Sequence, residues 1–339
     1  MADDAPAPLL FALSESRALA PAIGQEARVA LGALEERRFE GGEFKIRPLQ
    51  SARGRIAYVF QSLAGSGEPS VSERLLRLLF LLSTLRDAGA SQRVALIPYL
   101  AFARKERRTQ LRDPVNTRYV AKLLEASGAD RIMALDVHSP AALDNAFRIP
   151  VDHLSALPLM VDHFATRLPG TGLAIVSPDI GGIKRTQIFR EMLERRLQRE
   201  VELAFIEKRR SMGVVSGGTL VGNAAGREVI LLDDLCATGG TLLRAAAICR
   251  RAGATAVHVA VTHVPLAAGL DAILAAEDIA SIVTTDSVGP LDPAPAPPGG
   301  PQKLVALSIA PLFGQALRRL GAGKPLAPLI ERWPVPWLE

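Results

Sequence analysis

Apolar residues along this chain come in short, nearly continuous runs, and a helical pattern precedes several of them. The runs Arg93–Pro98, Arg131–Val137 and Ala256–His263 have the length and composition of strands that are buried on both faces. The helical pattern before each run ends at a Gly-Ala pair, and glycine suits the left-handed position that terminates a helix. Helices that alternate with such strands predict parallel sheets with helices on both faces.

Two further runs, Ala174–Ser177 and Val229–Leu232, predict strands that lead directly into polar residues. Open α/β sheets bind their ligands at the carboxyl ends of the strands. We therefore expect polar binding residues after both runs.

The order of these elements predicts two domains. We place the boundary near residues 156–162, which gives an N-terminal domain of residues 1–158 and a C-terminal domain of residues 159–339. The predicted fold class is α/β, with two doubly wound, mostly parallel sheets. A strand and a closing helix at Pro311–Leu320 are predicted after a loop rich in proline and glycine.

Composition supports this class and narrows the function. The 339 residues are 48% hydrophobic but only 5% aromatic, so aliphatic side chains must form the core. The net charge of +5 suits a site for anionic small molecules, and no long basic run with interleaved aromatic residues indicates a nucleic-acid surface. The two cysteines form no disulfide or metal pattern, the acidic N-terminus is not a signal peptide, and no apolar run could span a membrane. We expect a soluble, cytoplasmic protein without nucleic-acid or membrane partners.

The most informative stretch follows the run at Val229–Leu232. Two aspartates, Asp233 and Asp234, come first, and a turn rich in glycine and threonine leads into a helical pattern. Gly239 and Gly240 allow backbone N–H groups at a helix N-terminus to bind a phosphate. The aspartates would repel a phosphate, but a carboxylate can accept hydrogen bonds from both hydroxyls of a sugar diol. The stretch predicts a sugar-phosphate site; the alternative is an ordinary capped helix.

The Asp-Asp, three residues, Thr-Gly-Gly-Thr pattern resembles the phosphoribosyl-diphosphate (PRPP) loop. Type I phosphoribosyltransferases share this loop with the PRPP synthetases, or ribose-phosphate diphosphokinases. Similarity to the synthetases extends from about Phe39 to Leu329, which favours that family. The stretches that carry it are RFEGGEFKIR, IPYLAFARKERR, GADRIMALDVHS, IPVDHLSALP, VSPDIGGIKR and FIEKRRSMG.

The resemblance implies a phosphoribosyltransferase-like fold for both domains, with ATP bound by the first and the PRPP loop in the second. It also implies that the closing helix packs back on the first domain. The implied reaction transfers the β,γ-diphosphoryl group of ATP to the 1-hydroxyl of ribose 5-phosphate, which gives PRPP and AMP. The implied cofactor is Mg²⁺, and the family forms homo-oligomers.

The resemblance also implies roles for single residues. Lys208 and Arg210 match the catalytic lysine and arginine, in a stretch whose composition predicts a mobile flap. His138 and Asp179 match the Mg²⁺ site, although imidazole is not a preferred Mg²⁺ ligand and chemistry alone favours Asp179.

Two larger sets complete the implied site. The residues that match the ribose 5-phosphate site are Asp233, Asp234, Ala237, Thr238, Gly239, Gly240 and Thr241. The residues that match the ATP site are Phe39, Gly41, Gly42, Glu43, Arg104 and Lys105. In the second set, Phe39 is expected to stack on adenine, Glu43 to bind its amino group, and Arg104 to bind phosphate across a subunit boundary.

Three positions depart from the family pattern. Gly41 replaces an aspartate, Lys105 replaces a glutamine, and Ala237 replaces an acid that often precedes Thr-Gly-Gly-Thr. The first two leave open a relative that uses another nucleotide donor or another sugar phosphate. A non-catalytic, synthetase-associated regulatory subunit is the third hypothesis, and the retained flap and metal residues argue against it.

Overall fold

The structure is a computed structural model. It describes residues 6–65, 67–170, 172–211, 214–291 and 302–330, without the side chains of 208–211, 214–217 and 330. Its contacts divide the chain into two compact units. The first unit comprises the chain up to Ser155, Ser287–Pro290 and the segment from Ile309 onward. The second unit comprises Ala156–Asp286 and Leu291–Ser308.

The first unit contains a six-stranded sheet and a separate two-stranded hairpin. Its strands are β1 (Leu9–Ala12), β2 (Ala30–Gly32), β3 (Leu34–Arg38), β4 (Phe44–Pro48), β5 (Ile56–Phe60), β6 (Gln92–Ile97), β7 (Arg131–Leu135) and β8 (Val151–Leu154). The six strands lie in the order β2-β1-β5-β6-β7-β8, and every pair is parallel. Strands β3 and β4 pair antiparallel.

Helices connect the parallel strands of the first unit. They are α1 (Ala20–Ala27), α2 (Val71–Asp87), α3 (Asn116–Ala126) and α4 (Pro140–Ala146). Helix α2 begins after Ser70, whose hydroxyl accepts a hydrogen bond from the Glu73 N–H at 3.2 Å. One face of α2 is buried, with six leucines among its buried residues, whereas Leu76 and Phe80 are exposed.

The second unit contains one seven-stranded sheet. Its strands are β9 (Leu173–Ser177), β10 (Glu202–Ser211), β11 (Val214–Val221), β12 (Glu228–Leu235), β13 (Ala256–His263), β14 (Ser281–Thr285) and β15 (Leu304–Leu307). Its helices are α5 (Leu157–Arg167), α6 (Ile183–Leu197), α7 (Gly240–Arg251) and α8 (Ala267–Ala275). The strand order is β11-β10-β9-β12-β13-β14-β15. All pairs are parallel except β10 with β11.

Two helices near the C-terminal end belong to the first unit: α9 (Ala310–Gly321) and α10 (Ala327–Ile330). Helix α9 packs against α1 so closely that a Cβ atom on Gly314 would lie 2.4 Å from the Glu26 Cβ. On its buried face, the ring of Phe313 meets that of Phe60 edge to face, with centroids 5.9 Å apart.

The predicted α/β class with mostly parallel sheets is confirmed, because the apolar runs became buried central strands. The glycines after α2, α3 and α7 have φ values of +79°, +96° and +89°, as the helix-ending pattern predicts. None of the helices in the described ranges has the length and hydropathy needed to cross a membrane.

Candidate active site

A reversal in the order of the strands positions the ribose-side residues. From β9 the chain passes through α6 to β10 on one side, and it returns to β12 on the other side of β9. Such a reversal opens a crevice beyond the carboxyl ends of the two central strands. Asp179 follows β9, and Asp233 and Asp234 lie near the carboxyl end of β12. The second unit thus places these three acids at the same edge of its sheet.

The predicted phosphate turn, Ala237–Thr241, joins β12 to α7. Gly239 precedes the helix with φ of +77°, in the left-handed region that favours glycine. In the described structure, no side chain caps the amino end of α7, so the N–H groups of its first turn lack a side-chain acceptor there. Those groups and the helix dipole suit an anionic phosphate. Thr238 is exposed and Thr241 is half-buried.

Helix α8 packs directly against the backbone of this turn. A Cβ atom on Gly269 would lie 2.3 Å from the Ala237 carbonyl oxygen, so the two backbones are in close contact. The thiol of Cys236 donates to the Gly269 carbonyl oxygen at 3.8 Å. Burial raises the pKa of Cys236 to about 11, which leaves its thiol protonated at neutral pH.

The two aspartates of β12 are coupled to each other. The Asp234 N–H donates to Oδ1 of Asp233 at 2.9 Å, and Asp234 is buried. Burial is the first cause that raises the pKa of Asp233, followed by the neighbouring Asp234 carboxyl, and Arg185 opposes both. The pair therefore binds a proton more tightly than an exposed aspartate does.

Arg185 is a member of this site that the sequence motifs did not reveal. It lies in the first turn of α6, and its Nη1 donates to Oδ1 of Asp234 at 2.8 Å. The same nitrogen lies 3.7 Å from Oδ1 of Asp233. The arginine side chain is 17% exposed, so the pair is shielded from most of the solvent.

Asp179 caps the short 3₁₀ helix Ile180–Gly182. Its Oδ1 accepts a hydrogen bond from the Gly182 N–H at 3.3 Å, and its own carbonyl oxygen accepts one from the Ser177 hydroxyl at 2.6 Å. The carboxyl is half-buried at the end of β9. This is a fixed carboxylate of the kind that Mg²⁺ prefers.

Lys208 and Arg210 lie in the outer half of β10, and their side chains fall outside the described structure. The backbone pairs Lys208 with Gly218 and Arg210 with Val215 in β11, with an irregularity between the two. The sequence predicts a flap here, and the structure gives a β-hairpin. The reason lies at its base, where β10 pairs in parallel with β9 and buries Ala204.

His138 belongs to the first unit and lies three residues after Leu135, the last residue of β7. It is exposed, and it precedes Ser139, which caps α4. A hydrogen bond to β8 holds this segment in place, because the Val137 N–H donates to Nε2 of His153 at 2.9 Å. Asp136 has φ of +36°, unusual for a residue with a side chain, and its buried carboxylate accepts from the Ser155 hydroxyl at 2.9 Å.

The predicted adenine segment forms the tip of the β3–β4 hairpin in the first unit. Gly41, Gly42 and Glu43 are exposed there, and the Phe39 N–H donates to the Glu43 carbonyl oxygen at 2.7 Å. The Phe39 ring is 39% exposed, and the Arg37 guanidinium carbon lies 5.0 Å from the ring centroid. An exposed ring backed by a cation can stack on an aromatic base.

Arg104 and Lys105 lie in the loop between β6 and α3, also in the first unit. Arg104 is exposed, whereas the Lys105 ammonium pairs with Asp113 in the same loop. Asp113 also accepts from the N–H groups of Thr109 and Gln110, each at 2.9 Å. The lysine, followed by these other donors, holds the pKa of Asp113 well below its usual range. The ion pair between Lys105 and Asp113 therefore links two parts of this loop, and Asp113 partly neutralises the charge of the lysine.

The structure brings together the ribose-side residues and Asp179 within the second unit, and it places the predicted nucleotide-side residues and His138 in the first. Among the described residues there is no cluster of three or more His, Cys, Asp or Glu side chains that could hold a metal ion. Sequence patterns missed Arg185 and Gly269. Arg185 alone carried a signal, since a cation in the first turn of a helix opposes the helix dipole.

Two family models match the chain. The N-terminal domain of ribose phosphate pyrophosphokinase matches residues 9–128, and the phosphoribosyl transferase domain matches residues 158–287. The chain is 32% identical over 326 residues to ribose-phosphate pyrophosphokinase 1 of Streptococcus pneumoniae, with 95% of this chain and 96% of the relative covered. It is 34% identical over 324 residues to ribose-phosphate pyrophosphokinase of Listeria ivanovii, with the same shares covered.

A solved structure agrees with these matches. The phosphoribosylpyrophosphate synthetase of Mycobacterium smegmatis superposes with a TM-score of 0.82 at 30% identity. The superposition covers 94% of this chain and 100% of that one, so the similarity includes both units.

Proposed function

The chain belongs to the ribose-phosphate pyrophosphokinase family, and we propose that it transfers the β,γ-diphosphoryl group of ATP to the 1-hydroxyl of ribose 5-phosphate. The hydroxyl oxygen forms a bond to the β-phosphorus of ATP, and the bond from that phosphorus to the α,β-bridging oxygen breaks. AMP leaves with the bridging oxygen, the hydroxyl loses its proton, and the product is PRPP.

The turn between β12 and α7 is the observation that carries this proposal. Gly239 gives the turn its left-handed residue, and the amino end of α7 has no side-chain cap in the described structure. We assign the 5-phosphate of the sugar to this turn, with Ala237, Thr238, Gly240 and Thr241 completing it. Asp233 and Asp234 would then accept hydrogen bonds from the ribose hydroxyls.

The chemistry of transfer assigns the remaining charged residues. The diphosphoryl group is anionic, and its charge shifts toward the leaving oxygen as the bond breaks, so cations must lie close to it. Lys208 and Arg210 are assigned this role because they match the catalytic pair of the family. Water must also be excluded from the site, because it otherwise hydrolyses ATP.

The nucleotide is assigned to the hairpin tip and loop of the first unit. The half-exposed Phe39 ring would stack on adenine, and Glu43 would accept from its amino group, with Gly41 and Gly42 at the tip. Arg104 is exposed and would bind phosphate. Lys105, which pairs with Asp113, is assigned to support the loop that presents Arg104.

Mg²⁺ fits one of the two predicted ligands. The fixed, half-buried Asp179 carboxylate offers the oxygen that Mg²⁺ prefers, so we assign Asp179 to hold the ion. His138 is exposed and stays a candidate through the family resemblance alone, because its imidazole is not a preferred donor. When bound, Mg²⁺ would neutralise triphosphate charge.

The test is to incubate the purified protein with Mg²⁺, ATP and ribose 5-phosphate and to follow phosphorus NMR. We expect AMP and PRPP in equal amounts. ADP in place of AMP would mean attack at the γ-phosphorus and would overturn the proposed reaction. A panel of other nucleoside triphosphates, run in parallel, shows whether Gly41 and Lys105 change the choice of donor.

Lys208→Ala separates chemistry from binding. We expect turnover to fall by about a thousandfold or more, because a cation on the transferring group is lost. The affinity for ribose 5-phosphate, measured by calorimetry, should change little, since the sugar is assigned to the turn. Full turnover in this variant would remove Lys208 from the mechanism.

A further inference from the structure

Arg185 connects two elements of the second unit at the carboxyl edge of its sheet. It begins in the first turn of α6, after β9, and reaches the end of β12, where its Nη1 lies 2.8 Å from Asp234 Oδ1 and 3.7 Å from Asp233 Oδ1. One cation therefore serves two adjacent carboxyl groups, and all three side chains are largely shielded from solvent.

The position of this arginine breaks a local rule. The amino end of a helix favours acidic residues, yet the first turn of α6 contains no acid and begins Ile183-Lys184-Arg185. Lys184 is exposed, whereas Arg185 is turned toward β12. A residue that opposes the helix dipole must be compensated by another contact, and the aspartates of β12 supply it.

We propose that Arg185 is a positioning residue for ribose binding, which holds Asp234 in place and keeps the Asp233–Asp234 pair able to accept hydrogen bonds from the sugar hydroxyls. This inference rests on the proposed function, because it takes the two aspartates as the acceptors of the ribose diol. It does not place Arg185 in contact with the reacting atoms.

The charge balance of the site gives the reason. Two adjacent buried carboxyl groups resist being ionised together, and a protonated carboxyl is a donor at one of its oxygens. Charged and titratable groups that act on Asp233 include Asp234 on the same strand, Arg185 on α6 and Cys236 in the following turn. Arg185 is the cation among these groups, and its charge favours carboxylate acceptors over protonated carboxyl groups.

The test replaces Arg185 with glutamine and measures the KM for ribose 5-phosphate at saturating Mg²⁺ and ATP. At pH 7 we expect the KM to rise about tenfold to a hundredfold relative to the wild type, with kcat changed by less than about threefold.

Two further variants separate charge from packing. Arg185→Lys keeps a cation and should recover most of the wild-type KM at pH 7, which a loss of packing alone would not allow. Arg196→Gln removes a cation from the same helix whose exposed partner is Asp162, 3.2 Å away, and its KM should equal that of the wild type. Thermal unfolding of each variant shows whether the fold is intact. If Arg185→Gln does not fold, the KM of Arg185→Lys decides.

An Arg185→Gln variant with an unchanged KM at pH 7 would overturn the inference, and so would an Arg185→Lys variant whose KM is raised as far as that of Arg185→Gln. If the wild type does not turn over ribose 5-phosphate, the proposed function fails, and calorimetry with ribose 5-phosphate then decides. Weaker binding by Arg185→Gln than by the wild type supports the inference even then. Equal binding, or no binding by the wild type, overturns it.

Discussion

Replacing Gly269 with alanine should displace the phosphate turn without changing any residue of the turn itself. The new Cβ would lie 2.3 Å from the carbonyl oxygen and 2.9 Å from the carbonyl carbon of Ala237, and 3.2 Å from the carbonyl oxygen of Cys236. All three atoms are backbone, so no side-chain rotation can relieve the overlap. Non-bonded carbon contacts normally exceed about 3.5 Å, so α8 and the turn must separate by about 1 Å.

Two effects of opposite sign determine how much Gly269→Ala changes the free energy of unfolding. Glycine to alanine inside a helix such as α8 ordinarily stabilises by about 1 kcal/mol. Overpacking against backbone destabilises by about 1–3 kcal/mol, so a net loss of up to about 2 kcal/mol is expected. At about 2–4 °C for each kcal/mol, the melting temperature should fall by up to about 8 °C. Since a 1 Å misplacement can reduce turnover about a hundredfold, kcat/KM for ribose 5-phosphate should fall by about tenfold to a hundredfold.

The assay combines thermal unfolding with steady-state kinetics on the same preparation. Gly321→Ala is the matched control, because a Cβ at this helical position in α9 would meet no atom closer than the Tyr58 hydroxyl at 3.8 Å. It should leave both the melting temperature and kcat/KM at or slightly above wild-type values. The argument would be refuted by a Gly269→Ala protein that melts no lower than the wild type and keeps its kcat/KM.

Two other predictions concern the same unit. Gly239→Ala should lower the free energy of unfolding by about 1–2 kcal/mol, because alanine is strained at φ of +77°. A Cβ on Gly240 would approach only side-chain atoms, Arg244 Nη1 at 3.4 Å and Thr238 Oγ1 at 4.0 Å, so Gly240→Ala should melt at or above the wild-type temperature. Melting curves compare the pair, and equal losses would show that left-handed strain is not the cause. The raised pKa of Asp233, about 8, means that the folded state binds its proton more tightly than the unfolded state does. Its stabilising effect is therefore complete below about pH 4 and is lost as the pH rises through about 8, so the ligand-free melting temperature should fall over that range and Asp233→Asn should flatten the curve. An unaltered pH dependence in that variant would assign the effect to other groups.

The fold could be predicted largely from local patterns. Central strands such as β6, β7 and β13 are buried on both faces, so their apolar runs are nearly continuous in the sequence. The position of Asp233 and Asp234 followed from the same logic, because they come directly after the apolar run Val229–Leu232 of β12. Strand β10 was harder to predict, since its outer half, residues 208–211, has the polar composition of a loop.

The parts of the site that escaped prediction depend on contacts between distant residues. Arg185 pairs with Asp234 across 49 positions, and nothing in the spacing of either motif reveals that pair. Lys105 looked like extra charge beside a nucleotide, but Asp113 in the same loop takes up that charge. Gly269 appears in the sequence as one more small residue in an apolar helix, and only the approach of the turn gives it a role.

The packing of α9 on α1 has a consequence for the order in which the protein can fold during its synthesis. Residues from nearly opposite ends of the chain meet there, with Gly314 against Glu26 and Phe313 against Phe60. The second unit is therefore translated in full while the first still lacks α9 and α10, and contacts so remote in sequence form slowly. A nascent chain halted before Ala310 would expose apolar surface of the first unit to chaperones and proteases, whereas its second unit would already have every strand of its sheet.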